Sequence, residues 1–228
     1  MQAIILAAGE GTRMRPITYD VPKPMVKANG KTLVERNIEK LPKEVTELII
    51  VVGYLKEKIM SCFGNEFGGR KITYVEQDEP LGTAHAVSLC KDYVNERFIV
   101  MMSDDAYSKE DFVECLKHER AILAKRISGK STAGKITCDE NGNMIDILEG
   151  IHEDADNGIL ANTNFFVLTP EYFDYKMVSI KDGKEYGLPQ TVVNMSKDYP
   201  VKIVEASNWM KIDSMDDVAE FEKELRKN

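Results

Sequence analysis

An apolar run near the start of the chain, Ala3–Ala8, passes directly into a loop that contains Gly9 and Gly11. A continuous apolar run of this length is typical of a strand that is buried on both faces. Glycine allows backbone N–H groups to approach an anion closely, and Arg13 adds a fixed positive charge beside them. The pattern therefore predicts the first strand of an α/β sheet, followed at once by a loop that holds phosphate groups.

The spacing in this loop excludes two common phosphate-binding motifs. The dinucleotide fingerprint requires a third glycine where this chain has Met14, and the Walker loop requires a Gly-Lys pair that Gly11–Arg13 does not provide. A simple chain reversal would need neither Arg13 nor the segment Pro22–Pro24, in which two prolines restrict where the ammonium of Lys23 points. We interpret the loop and Lys23 as parts of one polyphosphate site.

The order of apolar and amphipathic stretches indicates the fold class. In the first half of the chain they alternate, which predicts βαβ units. After Ser131 the pattern changes to strands joined by the turn signal Asn141–Asn143, which predicts mixed or antiparallel strands. We expect an α/β fold with a Rossmann-like, mostly parallel mixed sheet flanked by helices, in one domain over residues 1–228. The predicted strands are Gln2–Ala8, Glu47–Val52, Ile72–Glu76, Arg97–Met102, Thr132–Cys138, Met144–Glu149 and Leu160–Leu168, and the predicted helices are Thr32–Lys40, Leu55–Phe63, Thr83–Lys91, Lys109–Lys125 and Asp216–Arg226.

Net charge and cysteine usage limit the partners and the compartment. A net charge of −8 argues against nucleic acid as a partner, because binding to a phosphate backbone depends on basic surface. No apolar run approaches the length of a bilayer, and the first one lacks the basic flank of a secretory signal. The four cysteines form no CxxC pair, which favours isolated thiols in a reducing compartment. We expect a cytoplasmic protein without a membrane partner.

A second candidate segment leads from a predicted strand into a predicted helix. Gln77 carries a paired donor and acceptor that suit the edge of a pyrimidine, and Gly82 allows a base to approach the backbone. Thr83 can cap the helix and offer a hydroxyl group. The alternative interpretation is an ordinary strand–turn–helix connection.

Two adjacent carboxylates, Asp104 and Asp105, follow the apolar strand that ends at Met102. In open α/β sheets, ligands bind at the carboxyl ends of the strands. Adjacent side chains point in different directions, so we expect one aspartate to face the cleft and the other to turn or cap the chain. The alternative is that both only begin the next helix.

The stretch Leu6–Pro16, together with Pro22–Met25, resembles the signature of the sugar-1-phosphate nucleotidylyltransferases, and the resemblance covers most of the chain. It implies the fold of the nucleotide-diphospho-sugar transferases. It also implies an Mg²⁺-dependent enzyme of the EC 2.7.7 class, whose partners are an NTP and a sugar-1-phosphate and whose products are an NDP-sugar and pyrophosphate. The spacing from Gln77 to Thr83 is most similar to members that use UTP or dTTP.

The resemblance further implies roles for individual residues. Arg13 and Lys23 would be catalytic, and Asp104 would hold both Mg²⁺ and the ribose. Gly134, Glu149 and Asn162 correspond to residues on the sugar-phosphate side. The residues expected to bind the nucleotide are Leu6, Ala8, Gly9, Glu10, Gly11, Thr12, Gln77, Gly82, Thr83 and Asp104.

Two segments depart from the family pattern. The second metal acid usually appears as Trp-x-Asp-Ile, whereas this chain has Lys211 at that position and Asp213 two residues later. Either Asp213 supplies the carboxylate from the same face of a strand, or one acid with phosphate and water holds Mg²⁺, or catalysis is weak or lost. The family's Glu-Lys-Pro is replaced by Glu149–Ile151, so we hypothesise that Lys135 or Lys211 binds the acceptor phosphate.

Two other functions stay open at this point. Cytidylyltransferases that act on phosphocholine or a similar small phosphate share the N-terminal signature and often end in a segment like Lys211–Asp213. A nucleotide-sugar-binding regulatory protein without turnover would explain Lys211 and Gly150. Glu185 and Gln190 are further candidates for the sugar side, whereas the three histidines receive no catalytic role. A homo-oligomer is compatible with the resemblance, although no exposed apolar stripe in the sequence indicates one.

Overall fold

A ten-stranded mixed sheet forms the centre of the computed structural model, which describes residues 1–152 and 158–227. Its strands are β1 (Gln2–Ala7), β2 (Glu47–Val52), β3 (Glu66–Phe67), β4 (Arg70–Glu76), β5 (Phe98–Met102), β6 (Ala121–Ile127), β7 (Lys135–Cys138), β8 (Met144–Leu148), β9 (Ile159–Leu168) and β10 (Lys202–Glu205). In the order β8-β7-β9-β5-β1-β2-β4-β3, neighbouring strands are hydrogen-bonded, and β6 pairs with both β9 and β10.

Six α-helices accompany this sheet in the described ranges, and none of these helices is long and apolar enough to cross a bilayer. Because side chains alternate along a strand, Ala3 and Ile5 of β1 pack with α1, α2 and α4, whereas Ile4 and Leu6 pack with α3 and α5. Helices therefore cover both faces. The helices are α1 (Leu33–Lys40), α2 (Lys56–Phe63), α3 (Thr83–Ser88), α4 (Lys109–Leu116), α5 (Leu188–Ser196) and α6 (Met215–Leu225).

The central strands β5, β1, β2 and β4 are parallel. Ile4 of β1 lies beside Ile49 on one side and Val100 on the other, and all three side chains are buried. The carboxyl ends of β1 and β5 are consequently neighbours. The loop after β1 and the acidic turn after β5 thus meet at one edge of the sheet.

Strand β9 changes its partner halfway along one edge. Leu160 and Ala161 pair with β7, whereas Phe166–Leu168 pair with β5. The register on the other edge, against β6, shifts between Asn162 and Phe165. Asn164, inside this irregular segment, has a φ of 55°. A gap between β5 and β7 therefore opens beside Asn164, at the same edge as the two loops.

The predicted α/β class with a mixed sheet is confirmed, and most predicted bounds agree with the structure within three residues. The predicted helix Lys109–Lys125 is wrong in its second half. The helix ends at Leu116, and Ala121–Ile127 form β6. Because β6 pairs with β9 on one side and β10 on the other, pairing in the sheet overrides the helix-compatible spacing of its apolar residues.

Candidate active site

Lys23 lies between two carboxylates at the edge where β1 and β5 end. Its Nζ is 2.6 Å from Oδ2 of Asp104 and 3.0 Å from Oδ1 of Asp213. Only 11% of the Lys23 side chain is exposed. Burial opposes the charge on Lys23, but the two carboxylates outweigh it and hold the pKa of Lys23 above its usual value. The ammonium is therefore charged at neutral pH.

Asp213 is the carboxylate with the most cationic contacts in this cluster. Besides Lys23, it contacts Nη1 of Arg13 at 2.5 Å and Nζ of Lys211 at 2.9 Å. Burial would raise the pKa of Asp213, but Lys211 and Lys23 lower it below its usual value. Three cations thus surround Asp213, and one of them, Lys23, also contacts Asp104.

The glycine-rich loop packs directly on Lys23. Gly11 has a φ of 62°, and a Cβ at this position would lie 2.8 Å from Cβ of Lys23. The Oγ1 of Thr18 donates to the carbonyl of Gly11 at 2.8 Å. The predicted association of the loop with Lys23 is therefore present in the fold. A cavity of about 200 Å³ is lined here by Leu6, Ala7, Gly9, Gly11, Thr12, Arg13, Lys23, Pro24, Met102, Ser103, Asp104 and Asp213.

Asp213 is positioned from both sides along the chain. Upstream, Trp209 and Met210 form a short antiparallel pair with Ala106–Tyr107, directly after the acidic turn. Downstream, Ser214 caps α6, and Oδ2 of Asp217 accepts the backbone N–H of Asp213 at 2.9 Å. These contacts hold Asp213 and Asp104 on the same ammonium, that of Lys23. The expectation that Asp213 lies in a strand is wrong, because the strand ends at Met210.

The neighbouring aspartate, Asp105, has a different environment from Asp104. Its side chain is buried, and its Oδ2 accepts from Nε1 of Trp209 at 3.2 Å. Burial, with the negative charge of Asp104, raises the pKa of Asp105 to about 8. Asp105 is therefore a buried hydrogen-bond acceptor for Trp209.

Gln77 lies in a second cavity of about 290 Å³, together with Ala8 and Glu10. Its Nε2 donates to the carbonyl of Gly82 at 3.1 Å and lies 3.1 Å from Nδ1 of His85. Because a carbonyl only accepts, Gly82 fixes which end of the Gln77 amide faces it. His85 was assigned no role from the sequence. The only sequence feature that links it to this site is its position eight residues after Gln77. Among the described residues, Oε1 of Gln77 has no hydrogen-bond partner.

Gly82 and Thr83 connect this segment to a hairpin formed by Val178–Ile180 and Glu185–Gly187. A Cβ on Gly82, whose φ is 93°, would lie 2.5 Å from the carbonyl oxygen of Tyr186. The expected helix cap by Thr83 is wrong, because Gly82 is the N-cap residue. The Oγ1 of Thr83 instead accepts the N–H of Leu188 at 3.0 Å.

A larger cleft of about 750 Å³ adjoins the charged cluster. Of the residues expected on the sugar-phosphate side, Glu149 and Lys211 line it, whereas Lys135 is not among its described lining residues. The Nε2 of Gln190 donates to Oε1 of Glu149 at 2.8 Å. The lining residues are Arg13, Lys23, Thr83, Met102, Asp104, Asp105, Ile147, Glu149, Asn164, Ile180, Lys181, Glu185, Gly187, Pro189, Gln190, Lys211 and Asp213.

Gly134 and Asn162 lie one layer behind this lining. A Cβ on Gly134 would lie 3.1 Å from Oε1 of Glu149. Asn162 is buried, and its Nδ2 donates to Oδ1 of Asn164 at 2.8 Å. Asn164, which sequence reasoning did not select, is the asparagine that faces the cleft. Asn164 faces the cleft because of the register shift in β9, and this shift cannot be inferred from the sequence.

The donor set at Asp104 and Asp213 fits Mg²⁺. Both carboxylates point at one atom, Nζ of Lys23, and therefore at one small region. Mg²⁺ is commonly bound through one or two carboxylates, with substrate phosphates and water completing the octahedron. Within residues 1–152 and 158–227, no group of three or more acidic, histidine or cysteine side chains forms a complete protein cage for a metal. A site completed by substrate is therefore the arrangement that these residues suit.

A model of the nucleotidyl transferase family matches residues 2–228. The chain belongs to this family. It is 33% identical over 201 residues to the UTP–glucose-1-phosphate uridylyltransferase AglF of Haloferax volcanii, which covers 84% of this chain and 82% of that protein. It is 32% identical over 227 residues to the bifunctional protein GlmU of Methanocaldococcus jannaschii, which covers 99% of this chain and 54% of that protein. The chain thus spans about half the length of that GlmU.

A solved structure from Bacillus anthracis has the same fold as this nucleotidyl transferase chain. It is named as a glucose-1-phosphate thymidylyltransferase and was determined in complex with sucrose. The TM-score is 0.83 at 23% identity, with 100% of this chain and 96% of the other covered. The family resemblance carried by Leu6–Pro16 and Pro22–Met25 is confirmed.

Proposed function

We propose that this member of the nucleotidyl transferase family transfers a nucleotidyl group from UTP or dTTP to a sugar-1-phosphate and releases pyrophosphate. The observation that carries the proposal is that two cavities meet at one set of charged residues. The smaller cavity, behind the glycine-rich loop, and the larger cleft share Arg13, Lys23, Asp104 and Asp213. A donor phosphate and an acceptor phosphate would meet at this shared wall.

The reaction needs no covalent intermediate and no general base, because the acceptor phosphate is already an anionic nucleophile. Its oxygen forms a bond to the α-phosphorus of the NTP as the bond from that phosphorus to the bridging oxygen breaks, and pyrophosphate leaves. The barrier is charge repulsion and alignment, which enzymes lower through positioning and fixed charges. Mg²⁺, held by Asp104 and Asp213, would neutralise phosphate charge.

The three basic side chains of the site are each suited to a different phosphate group. Arg13, with the amides from Gly9 to Thr12, binds the β- and γ-phosphates and so holds the leaving pyrophosphate. Lys23 already touches both acids, and it exchanges a carboxylate contact for a phosphate oxygen at the reacting centre. Lys211 lines only the larger cleft and is thereby suited to the acceptor phosphate.

The orientation of Gln77 supports UTP or dTTP over CTP. Both hydrogens on its Nε2 have acceptors within the protein, the carbonyl of Gly82 and Nδ1 of His85. Only Oε1 is left for a ligand, and it accepts a hydrogen bond. Opposite position 3 of the base, this oxygen would accept from the N3–H of uracil or thymine but would face the N3 lone pair of cytosine, whose hydrogen-bond donor is the N4 amino group instead.

The hydroxyl groups of the acceptor would contact Glu149 and Asn164, with Gly134 and Asn162 as the layer that supports them. The uridylyltransferase AglF supports a hexose phosphate as acceptor, because this chain covers most of that relative. Both cavities lie at one edge of one sheet, so we propose a single catalytic domain over residues 1–228. The cytoplasmic location and a homo-oligomer stay predictions.

The test is pyrophosphate release in the presence of Mg²⁺, with UTP, dTTP, CTP, GTP and ATP each combined with several sugar-1-phosphates and with phosphocholine. We expect release with UTP or dTTP and one hexose-1-phosphate. Release only with CTP and phosphocholine would contradict the proposal and indicate a different acceptor class. Nucleotide binding without release in any combination would indicate a regulatory binding protein.

A further inference from the structure

Three buried polar side chains surround the turn that carries Asp104, and the proposed reaction uses none of them. Asn37 and Ser103 are each 1% exposed, and Asp105 is 6% exposed. Asn37 is on α1, next in sequence to Ile38 in the apolar core. Burying a polar side chain costs free energy unless it forms hydrogen bonds, so a cluster of three requires a physical reason.

All three side chains hold the backbone or the ends of this acidic turn. The Oγ of Ser103 donates to the carbonyl of Leu6 at 2.7 Å, which attaches the turn to the end of β1. The Nδ2 of Asn37 donates to the carbonyl of Asp105 at 2.7 Å, which attaches it to α1. Asp104, between these two attachment points, therefore has a fixed backbone.

The carboxylate of Asp105 makes the third attachment, toward the segment that carries Asp213. Its Oδ2 accepts from Nε1 of Trp209, four residues before Asp213. In the short strand pair, Trp209 lies opposite Tyr107 and Met210 lies opposite Ala106. One side-chain hydrogen bond and one short strand pair thus connect the segment that follows Asp104 with the segment that leads to Asp213.

We propose that Asn37, Asp105 and Trp209 form a positioning clamp that sets the spacing between the carboxylates of Asp104 and Asp213, with Asp105 acting as a hydrogen-bond acceptor rather than as a metal ligand. This inference rests on the proposed function, in which Asp104 and Asp213 hold Mg²⁺. Partners that orient metal ligands are worth about 10- to 100-fold in metal affinity or activity in other proteins.

Two substitutions of Asp105 separate a positioning role from direct ligation. Asp105→Asn cannot ionise but keeps an oxygen that accepts from Trp209, whereas Asp105→Ala removes that oxygen as well. Trp209→Phe keeps an aromatic ring and removes the N–H. Tyr107→Phe is the matched control, because Tyr107 is in the same strand pair but donates its hydroxyl to the carbonyl of Thr163 and forms no side-chain bond between the two segments.

The experiment titrates Mn²⁺ into each full-length variant, with and without UTP, and follows binding by electron paramagnetic resonance, with pyrophosphate release measured in parallel. We expect Asp105→Ala and Trp209→Phe to weaken Mn²⁺ binding about 10- to 100-fold. Asp105→Asn and Tyr107→Phe should stay within about threefold of wild type. The double variant of Asp105→Ala with Trp209→Phe should be no weaker than the worse single variant, because the pair acts as one unit.

Unfolding is monitored by circular dichroism, so a variant that does not fold is recognised, and Trp209→Phe then still tests the clamp. Trp209 is the chain's single tryptophan, so its fluorescence also reports whether Asp105→Asn keeps the indole environment. A loss for Asp105→Asn equal to that of Asp104→Asn would make Asp105 a ligand and overturn the clamp. Normal Mn²⁺ affinity in Trp209→Phe would also overturn it. A wild-type protein that neither binds Mn²⁺ nor releases pyrophosphate would overturn the proposed function as well.

Discussion

A buried ammonium held between two carboxylates, as at Lys23, is stable only while each charge keeps its partners. Lys23 depends on Asp104 and Asp213, and Asp213 in turn contacts Arg13 and Lys211. A bound phosphate provides an alternative partner for these cations, and a metal provides one for the acids. At the scale of single residues, the cluster therefore already holds the charges that a phosphate and a metal would bind. Binding would replace the contacts that these charges make with one another.

Removing the Lys23 ammonium tests this arrangement directly. We expect Lys23→Ala to lower the rate of pyrophosphate release at least about 100-fold, because a fixed charge at the reacting centre is lost. The matched control is Lys31→Ala, which removes an exposed lysine paired with Glu39 and should leave the rate unchanged. Near-normal turnover in a folded Lys23→Ala protein would exclude Lys23 from the reaction.

His85 provides a residue-scale prediction about the base. His85→Phe removes the acceptor that holds one hydrogen of the Gln77 amide, so Gln77 gains a free donor. We expect the preference for UTP over CTP, measured as the ratio of kcat/KM values, to fall about tenfold, the worth of roughly one hydrogen bond. His118→Phe, a change outside the cavities described above, is the control. An unchanged ratio in His85→Phe would show that Gln77 is held without the imidazole.

At the scale of elements, the hairpin of residues 178–187 connects the two halves of the cleft. Its backbone reaches the segment from Gln77 to Gly82, where the N–H of Tyr186 donates to the carbonyl of Leu81 at 2.8 Å. On the other side, Ile180 and Glu185 line the larger cleft. The close approach is possible only because Gly82 has no side chain. The position of the hairpin therefore depends on a single glycine.

A pair of glycine substitutions measures that dependence. Gly82→Ala combines a φ of 93° with a contact of 2.5 Å to Tyr186, whereas Gly30→Ala has a φ of 80° and would meet no atom within 4 Å. We expect Gly30→Ala to lower the free energy of unfolding by about 1 kcal/mol, and Gly82→Ala by at least about 2 kcal/mol more. Urea unfolding gives both values. Equal costs would mean that the hairpin moves aside freely.

How far the sequence predicts the elements depends on where their stability originates. β1, β2 and β5 are continuous apolar runs, so their burial could be inferred from residue type alone. β6 contains Ala121–Ala124, a run compatible with helix or strand, and only its pairing with β9 and β10 decides between them. The helix α5 was missed because its Leu188-Pro189 start, which suits the first turn of a helix, also suits a loop.

The candidate site follows the same division. The loop Gly9–Arg13 and Lys23 could be found because local backbone restriction and charge mark them. Asn164, His85 and Asn37 could not, because each acquires its role from a contact made by the tertiary fold. Asn164 faces the cleft through a register shift, and the other two hold a partner eight or more residues away.

For the molecule as a whole, the apolar clusters on the two faces of the sheet determine which cysteine thiols are exposed to solvent. Cys90 and Cys115 belong to the apolar clusters on opposite faces of the sheet, whereas Cys62 and Cys138 are exposed. Burial raises the pKa of Cys90 to about 12 and raises that of Cys115 well above its usual value. Both buried thiols therefore stay protonated and unreactive in the native state.

Thiol labelling measures the integrity of this core. At pH 8, we expect Ellman's reagent to modify Cys62 and Cys138 in the folded protein, and all four cysteines only in denaturant. Because the pKa of Cys90 is about 12, raising the pH from 7 to 9 should leave Cys90 unlabelled in the folded protein. Peptide mapping by mass spectrometry identifies the modified residues. Rapid native labelling of Cys90 would contradict the burial of α3 against the sheet.

The divided edge of β9 separates two parts of the sheet. β7 pairs with its first half and β8 pairs with β7, whereas β5, which precedes the acidic turn, pairs with its second half. Ile136, Met144 and Ile147 of β7 and β8 pack in the same core cluster as Ile4 and Val100, so they have to be kept. Combinatorial libraries limited to the exposed side chains of these two strands, such as Ile145 and Leu148, can diversify the proposed acceptor side while the pairing of β5 with β1 is retained.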